Sequence, residues 1–189
     1  MQQDTAHSQN DPFVNAFEDG AVFVYPTEAV MGIGCNPDNE DAVKQILAIK
    51  NRPVEKGVIL IASTYSQLLP YVNDNAIAMD RRTAIFSSWP GPVTWLLPKS
   101  TRAPDWITGG QPKIAVRVTD HPVVKALCER VGKPLVSTSA NPSGAAPAKS
   151  KEEAQHYFGD SVLYVDGDVG RHGKPSTIRD CDTGEIIRE

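Results

Sequence analysis

The sequence predicts a single α/β domain in which helices flank a twisted mixed β-sheet. Short apolar segments typical of strands alternate with helically spaced segments through the first two thirds of the chain, and the last third is richer in strands. The 189 residues, 40% hydrophobic and 22% charged, suit one domain with an ordinary core. We place this domain at residues 8–189 and expect residues 1–7 to be frayed.

The first half of the chain alternates predicted helices with predicted strands. The strand AVFVY ends at Pro26, because proline cannot donate to a ladder. Asp38 with Asp41 resembles a helix start, and the apolar residues that follow have helical spacing. The predicted elements are a helix at 12–18, a strand at 21–25, a helix from about 38 to 50, a strand at 57–62 and helices at 66–72 and 76–88.

The second half adds more strands than helices. One helix is bounded by Pro122 in its first turn and Gly132 at its end, which are the positions that proline and glycine prefer. The predicted elements are strands at 93–98 and 114–118, a helix at 121–132, a strand at 134–141, a helix at 151–158, and strands at 161–165, 176–181 and 185–188.

Composition and charge narrow the classes of protein. No apolar run approaches the roughly 20 residues of a membrane helix, and the N-terminus does not resemble a signal peptide. Three cysteines without CxxC spacing argue against a disulfide framework, so we expect a cytoplasmic protein without a membrane segment. The net charge of −4 counts against a duplex-binding protein, but it allows a local basic pocket for a small anion.

A cluster of cations follows the second predicted helix. Lys50, Arg52 and Lys56 lie within seven residues, where the chain turns at Pro53. Such cations are common at solvated helix ends because they favour the helix dipole. The alternative is a phosphate clamp, in which Arg supplies a planar fork and Lys a point charge.

Two further segments carry polar groups at or near strand ends. The run STSANPSG (137–144) has five hydroxyl or amide side chains in eight residues, which fits either turn chemistry or a phosphate ligand with bound Mg²⁺. Arg117 interrupts the apolar strand IAVRV, so it either points to solvent or, if helices cover both faces, needs a partner such as a ligand carboxylate. The sequence has no phosphate loop of the GxxxxGK[ST] type, and its four histidines are scattered.

Six segments taken together resemble the YrdC-like family in its short, single-domain bacterial form. In chain order they are YPTEAVMGIGC (25–35), KNRPVEKG (50–57), WPGPVTW (89–95), AVRVTDHP (115–122), PLVSTSANPSG (134–144) and PSTIRD (175–180). The resemblance implies the YrdC-like fold and a nucleotidyltransferase activity. L-threonine, bicarbonate or CO₂, and ATP would give threonylcarbamoyl-adenylate and diphosphate. A partner transferase complex would then modify the adenosine beside the tRNA anticodon.

The resemblance also implies roles for individual residues. Lys50, Arg52, Ser139 and Asn141 would bind the ATP phosphates, and Thr27, Arg117 and Thr138 would bind threonine. Mg²⁺ would arrive with ATP instead of occupying a protein cage, and no side chain would act as a covalent nucleophile.

Two other functions remain open from the sequence. One is an RNA-binding or ribosome-maturation module without catalysis, which would bind tRNA or another RNA through a basic concavity. The acidic N-terminal 43 residues, with eight Asp or Glu and no Lys or Arg, count against it. The other is a carbamoyl-adenylating enzyme that acts on an acceptor different from threonine.

Overall fold

A mixed sheet is the centre of the structure, as the sequence predicted. The computed structural model describes residues 11–170 and 177–188, so the predicted frayed segment 1–7 lies outside the described residues. Within them, nine strands form one sheet in the order β7-β1-β2-β6-β3-β5-β4-β8-β9. The strands are β1 Phe23–Pro26, β2 Met31–Gly34, β3 Ile59–Ala62, β4 Val93–Pro98, β5 Lys113–Val118, β6 Leu135–Ser139, β7 Leu163–Tyr164, β8 Thr177–Asp180 and β9 Ile186–Arg188.

Helices cover both faces of this sheet. Neighbouring residues on β3 show the two faces: Leu60 packs with α2 in the larger apolar cluster, whereas Ile61 packs with α1 and α5 in the smaller one. Successive strand residues point to opposite faces, so the two clusters lie on opposite sides of the sheet. The helices are α1 Pro12–Glu18, α2 Glu40–Lys50, α3 Arg82–Ser87, α4 Asp105–Thr108, α5 Pro122–Val131 and α6 Lys151–Phe158.

The predicted helices at 66–72 and 76–88 are wrong as drawn. The first is a single 3₁₀ turn, and the second consists of two 3₁₀ turns followed by the short α3. Asp74 lies between the two segments and contacts both, because its carboxylate accepts from the Tyr65 hydroxyl at 2.7 Å and from Arg82 Nη2 at 2.9 Å. These side-chain bonds favour turns in segments where the apolar spacing alone favours helices.

Strand β2 was not predicted, because two of its four residues are glycines. Both positions are packed too closely for a side chain. A Cβ on Gly34 would lie 2.1 Å from the Val136 carbonyl oxygen, and one on Gly32 would lie 2.9 Å from the Tyr25 ring. Glycine in a strand commonly marks such a close approach. The hairpin of β1 and β2 therefore fits against β6 only without side chains at these positions.

All three cysteines of the sequence are buried and unpaired in the structure. Cys35 follows β2, Cys128 lies in α5 and Cys181 follows β8. Burial raises the pKa of both the Cys35 and Cys128 thiols to about 12. Their surroundings make all three part of the packed interior.

No helix within the described residues is long and apolar enough to cross a membrane.

Candidate functional site

A cavity of about 670 Å³ opens on one face of the sheet. Its floor includes the row Ser137, Ile59, Ala115 and Leu96, which are paired in register across β6, β3, β5 and β4. Side chains two residues apart on a strand share a face, so Ser139 and Arg117 lie on the same face as the floor. The volume falls within the range of about 300–1,000 Å³ that is usual for small-molecule sites.

The end of α2 delivers Lys50 and Arg52 to this cavity. The helix begins after Asn39, whose side chain accepts from the Ala42 amide, one residue later than the sequence indicated. It ends at Asn51, which adopts the left-handed conformation (φ 46°). This cap reverses the chain immediately, so Lys50 and Arg52 both line the cavity instead of following the helix into solvent.

Lys50, Ser139 and Asn141 form one hydrogen-bonded unit, which we call the Lys50 corner. Lys50 Nζ donates to the Ser139 carbonyl at 2.9 Å, to Ser139 Oγ at 3.1 Å and to Asn141 Oδ1 at 2.7 Å. Asn141 is fixed in turn, since its Nδ2 donates to the carbonyls of Pro142 and Ala145. Lys50 and Ser139 line the cavity, whereas Asn141 lies behind them and holds the lysine in place.

Arg52 is oriented by the backbone that follows it. Its Nε donates to the Gly57 carbonyl at 2.9 Å and its Nη2 to the Lys56 carbonyl at 3.3 Å. Partial burial lowers the pKa of Arg52, but an arginine remains protonated at neutral pH. The guanidinium is therefore a fixed positive charge beside the Lys50 corner, with Lys56 lining the cavity next to it.

Arg117, Glu28 and Thr119 form a second unit, which we call the Arg117 corner. Arg117 is buried, and its Nη1 lies 2.9 Å from Glu28 Oε2. The other oxygen, Oε1, accepts a short hydrogen bond from the Thr119 hydroxyl. Burial opposes ionisation of Glu28, but the Arg117 charge and the Thr119 bond together hold its pKa below the usual range. The partner of Arg117 is thus a protein carboxylate, which the sequence did not indicate.

Glu28 and Arg117 come from parts of the sheet that are not adjacent. Glu28 lies in the turn between β1 and β2, whereas Arg117 lies on β5, and β6 and β3 separate β2 from β5 in the sheet. The Arg117 corner therefore joins two separate parts of the sheet, and both Glu28 and Arg117 line the cavity.

Thr27 and Thr138 line the same cavity. The Thr27 hydroxyl donates to the Val30 carbonyl at 2.6 Å and closes the β1–β2 turn. The backbone carbonyl of Thr27 accepts from the Gly170 amide at 2.7 Å. Thr138 lies on β6 opposite Ile33. Six of the seven residues proposed from the resemblance therefore face one cavity, and the seventh, Asn141, supports it from behind.

Lys and Arg outnumber acidic residues in the lining of the cavity, although the chain is acidic overall. Among the described residues, one acid, Glu28, lines it together with five cations: Lys50, Arg52, Lys56, Lys113 and Arg117. Lys113 Nζ lies 2.8 Å from Asp180 and 2.7 Å from Asp182. Burial opposes its charge, but the two carboxylates raise the pKa of Lys113. A site of this kind suits a polyanion with several separated charges.

Sequence reasoning missed Glu28, Thr119 and Lys113 as site residues. Glu28 and Thr119 lie in the segments YPTEAVMGIGC and AVRVTDHP, but neither segment shows that one residue contacts the other. Their contact spans 91 positions of the chain, so no local pattern could reveal it. For Lys113 the only signal was a cation beside a predicted strand.

The fold and the cavity define an α/β protein with a small-molecule site rich in Lys and Arg on one face of a mixed sheet. The model of the family Sua5/YciO/YrdC, described as telomere recombination, matches residues 15–189. The chain belongs to this family.

Three comparisons illustrate the relationship. A threonylcarbamoyl-AMP synthase of Pseudoalteromonas atlantica is 56% identical over 185 residues, which cover 98% of this chain and 99% of that protein. The structure of P. abyssi Sua5 complexed with L-threonine is 33% identical with a TM-score of 0.81, and the match covers 88% of this chain and 49% of Sua5. E. coli YciO is 26% identical with a TM-score of 0.79 over 99% of this chain and 90% of its own.

Proposed function

We propose that this chain is a threonylcarbamoyl-AMP synthase, a nucleotidyltransferase that makes threonylcarbamoyl-adenylate and diphosphate from ATP, L-threonine and bicarbonate or CO₂. The observation that carries the proposal is the cavity with five cations and one acid, in which the Lys50 and Arg117 corners face a common space. The cations beside Lys50 suit the phosphates of a nucleotide, and the Arg117 guanidinium suits the carboxylate of an amino acid. The Pseudoalteromonas relative, named for this activity and matched over almost its full length, supports the same reaction.

The reaction needs positioning more than it needs a protein nucleophile. The threonine amine adds to the carbon of CO₂ and loses a proton, which gives a carbamate. A carbamate oxygen then attacks the α-phosphorus of ATP, the bond to the bridging oxygen breaks, and diphosphate leaves with the electron pair. In phosphoryl chemistry of this type, alignment and charge neutralisation supply most of the catalysis.

Each corner has a separate task in this scheme. Lys50 and Arg52 bind phosphate oxygens, the lysine as a point charge and the arginine through its planar fork. Ser139 supplies a hydroxyl beside the phosphates, and Asn141 holds Lys50 in place from behind. Arg117 binds the threonine carboxylate, and Thr27 and Thr138 shape the amino-acid end of the cavity.

Magnesium fits this cavity as a companion of the nucleotide. The one acid among the described lining residues, Glu28, is already engaged by Arg117 and Thr119, and Mg²⁺ prefers to keep waters and bind substrate phosphates. When bound, the ion would neutralise phosphate oxygens and the charge of the leaving diphosphate. Lys50 and Arg52 would lie beside the charge that it leaves uncompensated.

The product requires an acceptor outside this chain. We propose that a tRNA threonylcarbamoyl transferase complex in the cytoplasm consumes the adenylate, and that direct tRNA binding is weak at most. An RNA-binding module without catalysis is not favoured, because the five Lys and Arg residues of the candidate site line a cavity of about 670 Å³ that suits small ligands.

The test is incubation of the protein with ATP, Mg²⁺, bicarbonate and each amino acid in turn, with diphosphate release and product mass as readouts. We expect release that depends on threonine and a product with the mass of threonylcarbamoyl-adenylate. Equal release with an unrelated acceptor would favour the more general carbamoyl-adenylating enzyme. No release, together with salt-sensitive RNA binding, would favour the RNA module.

A further inference from the structure

The Arg117–Glu28 pair is close but not aligned. Nη1 of Arg117 lies 2.9 Å from Glu28 Oε2, yet within the described part of the chain this buried nitrogen has no hydrogen bond of acceptable geometry. The guanidinium side chain is only 8% exposed. Nη1 is thus attracted by its counter-charge, whereas the other N–H groups of the guanidinium keep donor capacity for an acceptor in the cavity that Arg117 lines.

Glu28 is the fixed member of the pair. Thr119 donates to its Oε1 and at the same time accepts the His121 amide at 3.0 Å, so the hydroxyl has a set direction. The Thr119 amide is held by the Ala62 carbonyl at 3.0 Å. Gly170 packs directly on the Glu28 backbone, where a Cβ would lie 2.7 Å from the Glu28 carbonyl oxygen. The carboxylate therefore has little room to move.

We propose that Glu28 is a positioning residue that aims the Arg117 guanidinium at the carboxylate of the amino-acid substrate. The proposal deepens the function proposed above and rests on it. Glu28 compensates the buried charge of Arg117 from the Nη1 side before substrate arrives and leaves the remaining N–H groups of the guanidinium to the cavity. The substrate carboxylate then accepts from a guanidinium that is already oriented, which lowers the cost of ordering it on binding.

The alternative is that Glu28 competes with the substrate. In that case its carboxylate would occupy the donors that the ligand needs, and its removal would tighten binding. The missing alignment at Nη1 favours positioning, because a competing carboxylate would be expected to take the hydrogen bond.

The first experiment measures threonine affinity by calorimetry in the presence of a non-hydrolysable ATP analogue. Glu28→Gln keeps an acceptor for Thr119 but removes the charge, and we expect it to raise the threonine Kd at least about tenfold. The Kd of the ATP analogue should change by less than about twofold. Asp74→Asn is the matched control, since Asp74 also forms an ion pair at 2.9 Å, with Arg82, outside the residues that line the cavity.

A second arm tests whether Glu28 acts through Arg117. Threoninol lacks the carboxylate, so Glu28→Gln should leave its binding or inhibition unchanged. In the Arg117→Met background, Glu28→Gln should add no further loss of threonine affinity, since positions that act as a unit are not additive. Thr119→Val should reproduce part of the loss of threonine affinity seen in Glu28→Gln. Thr119→Ser, which keeps the hydroxyl, should bind threonine nearly as well as the wild type. These variants keep the test open if Glu28→Gln folds poorly.

The outcomes separate this proposal from the one it rests on. If the wild type binds no threonine, the proposed function is wrong and the positioning role falls with it. If the wild type binds threonine and Glu28→Gln binds it equally well or more tightly, only the positioning role is overturned. A loss that is equal for threonine, threoninol and the ATP analogue would reveal general damage to the fold and would also overturn it.

Discussion

The two corners of the cavity hold their cations in opposite ways. At the Lys50 corner, the ammonium makes three hydrogen bonds of 2.7–3.1 Å to neutral oxygens of Ser139 and Asn141. At the Arg117 corner, the guanidinium lies against a full negative charge at 2.9 Å without an aligned hydrogen bond to it. Lys50 is held by directed hydrogen bonds, whereas Arg117 is held by the opposite charge of Glu28.

The difference teaches what each corner can offer a ligand. A phosphate that approaches Lys50 meets an ammonium held by oxygens of Ser139 and Asn141, with Arg52 and Lys56 beside it in the cavity lining. Long-range attraction for a polyanion is therefore strongest there. A ligand that approaches Arg117 meets a pair that is nearly neutral, so recognition there depends on direction and short contacts. The Lys50 corner suits capture, and the Arg117 corner suits selection.

Removal of Mg²⁺ should have the largest effect and tests the capture side of the comparison. Lys50 and Arg52 supply two positive charges, which is fewer than the charges of ATP. We expect exhaustive chelation to reduce diphosphate release by more than about 10³-fold, and Mg²⁺ alone to restore it. A requirement for zinc instead would contradict the view that the metal travels with the nucleotide.

Arg117→Ala should break the selection side. The substitution removes the carboxylate anchor and leaves Glu28 without its counter-charge, so we expect the KM for threonine to rise on the order of 100-fold. The stability should fall by about 3 kcal/mol, the scale for an unpaired buried charge. Chemical denaturation measures the second effect. The double variant Arg117→Met with Glu28→Gln should recover stability but not threonine affinity; recovery of both would place the threonine carboxylate elsewhere.

Lys50→Met should weaken the use of ATP, with a smaller effect than that of Arg117→Ala on threonine. The loss of one charged hydrogen-bond donor corresponds to roughly 10- to 100-fold in kcat/KM for ATP. Stability should also fall by about 1–2 kcal/mol, because Ser139 and Asn141 lose their shared partner. Kinetics at varied ATP and a denaturation curve check the two parts.

Arg52→Lys offers a comparison in which the charge is kept. The variant should lose about tenfold in kcat/KM for ATP, since a point charge does not replace a planar fork. Its KM for threonine should stay near the wild-type value. A change confined to threonine would show that the two corners had been assigned the wrong way round.

Acid stability should give the smallest effect and should report the Arg117 corner alone. The folded-state pKa of Glu28 lies below its ordinary value of 4.5, so its stabilising contribution is complete above about pH 4.5. That contribution is lost as the pH falls through the lower folded value. Glu28→Gln should therefore be less stable than the wild type by roughly 1–2 kcal/mol at neutral pH, and this gap should narrow below pH 4.5. A gap that does not depend on pH would mean that the charge of Glu28 is not what stabilises the pair.

The Lys50 corner shows how far the sequence could reach. The cations at a helix end and the hydroxyls after a strand could each be explained by local structure alone. The family resemblance assigned them to one phosphate site. The structure joins Lys50 directly to Ser139 and Asn141 through three hydrogen bonds. The boundaries of α2 and α6 were also predictable, because helical spacing and capping residues are local signals.

The Arg117 corner shows where sequence reasoning stops. Alternation along β5 could not say whether Arg117 was buried, since that depends on which elements cover the face. Its partner Glu28 lies in a turn next to β2, a strand hidden by its two glycines. Those glycines are explained only by the approach of Tyr25 and Val136, and such a contact appears only when the sheet is assembled.

The three buried thiols can be used to measure local opening of the fold. A thiol reagent attacks only a sulfur that is exposed and deprotonated, and the pKa of about 12 for Cys35 and Cys128 and about 11 for Cys181 makes the closed state slow to react. Cys35 reports on the strand β2, Cys128 on the helix that covers the smaller apolar cluster, and Cys181 on the turn after β8. Labelling rates followed by mass spectrometry would therefore rank how often each of these regions opens. Slower labelling of one cysteine in the presence of a ligand would show which region of the fold that ligand stabilises.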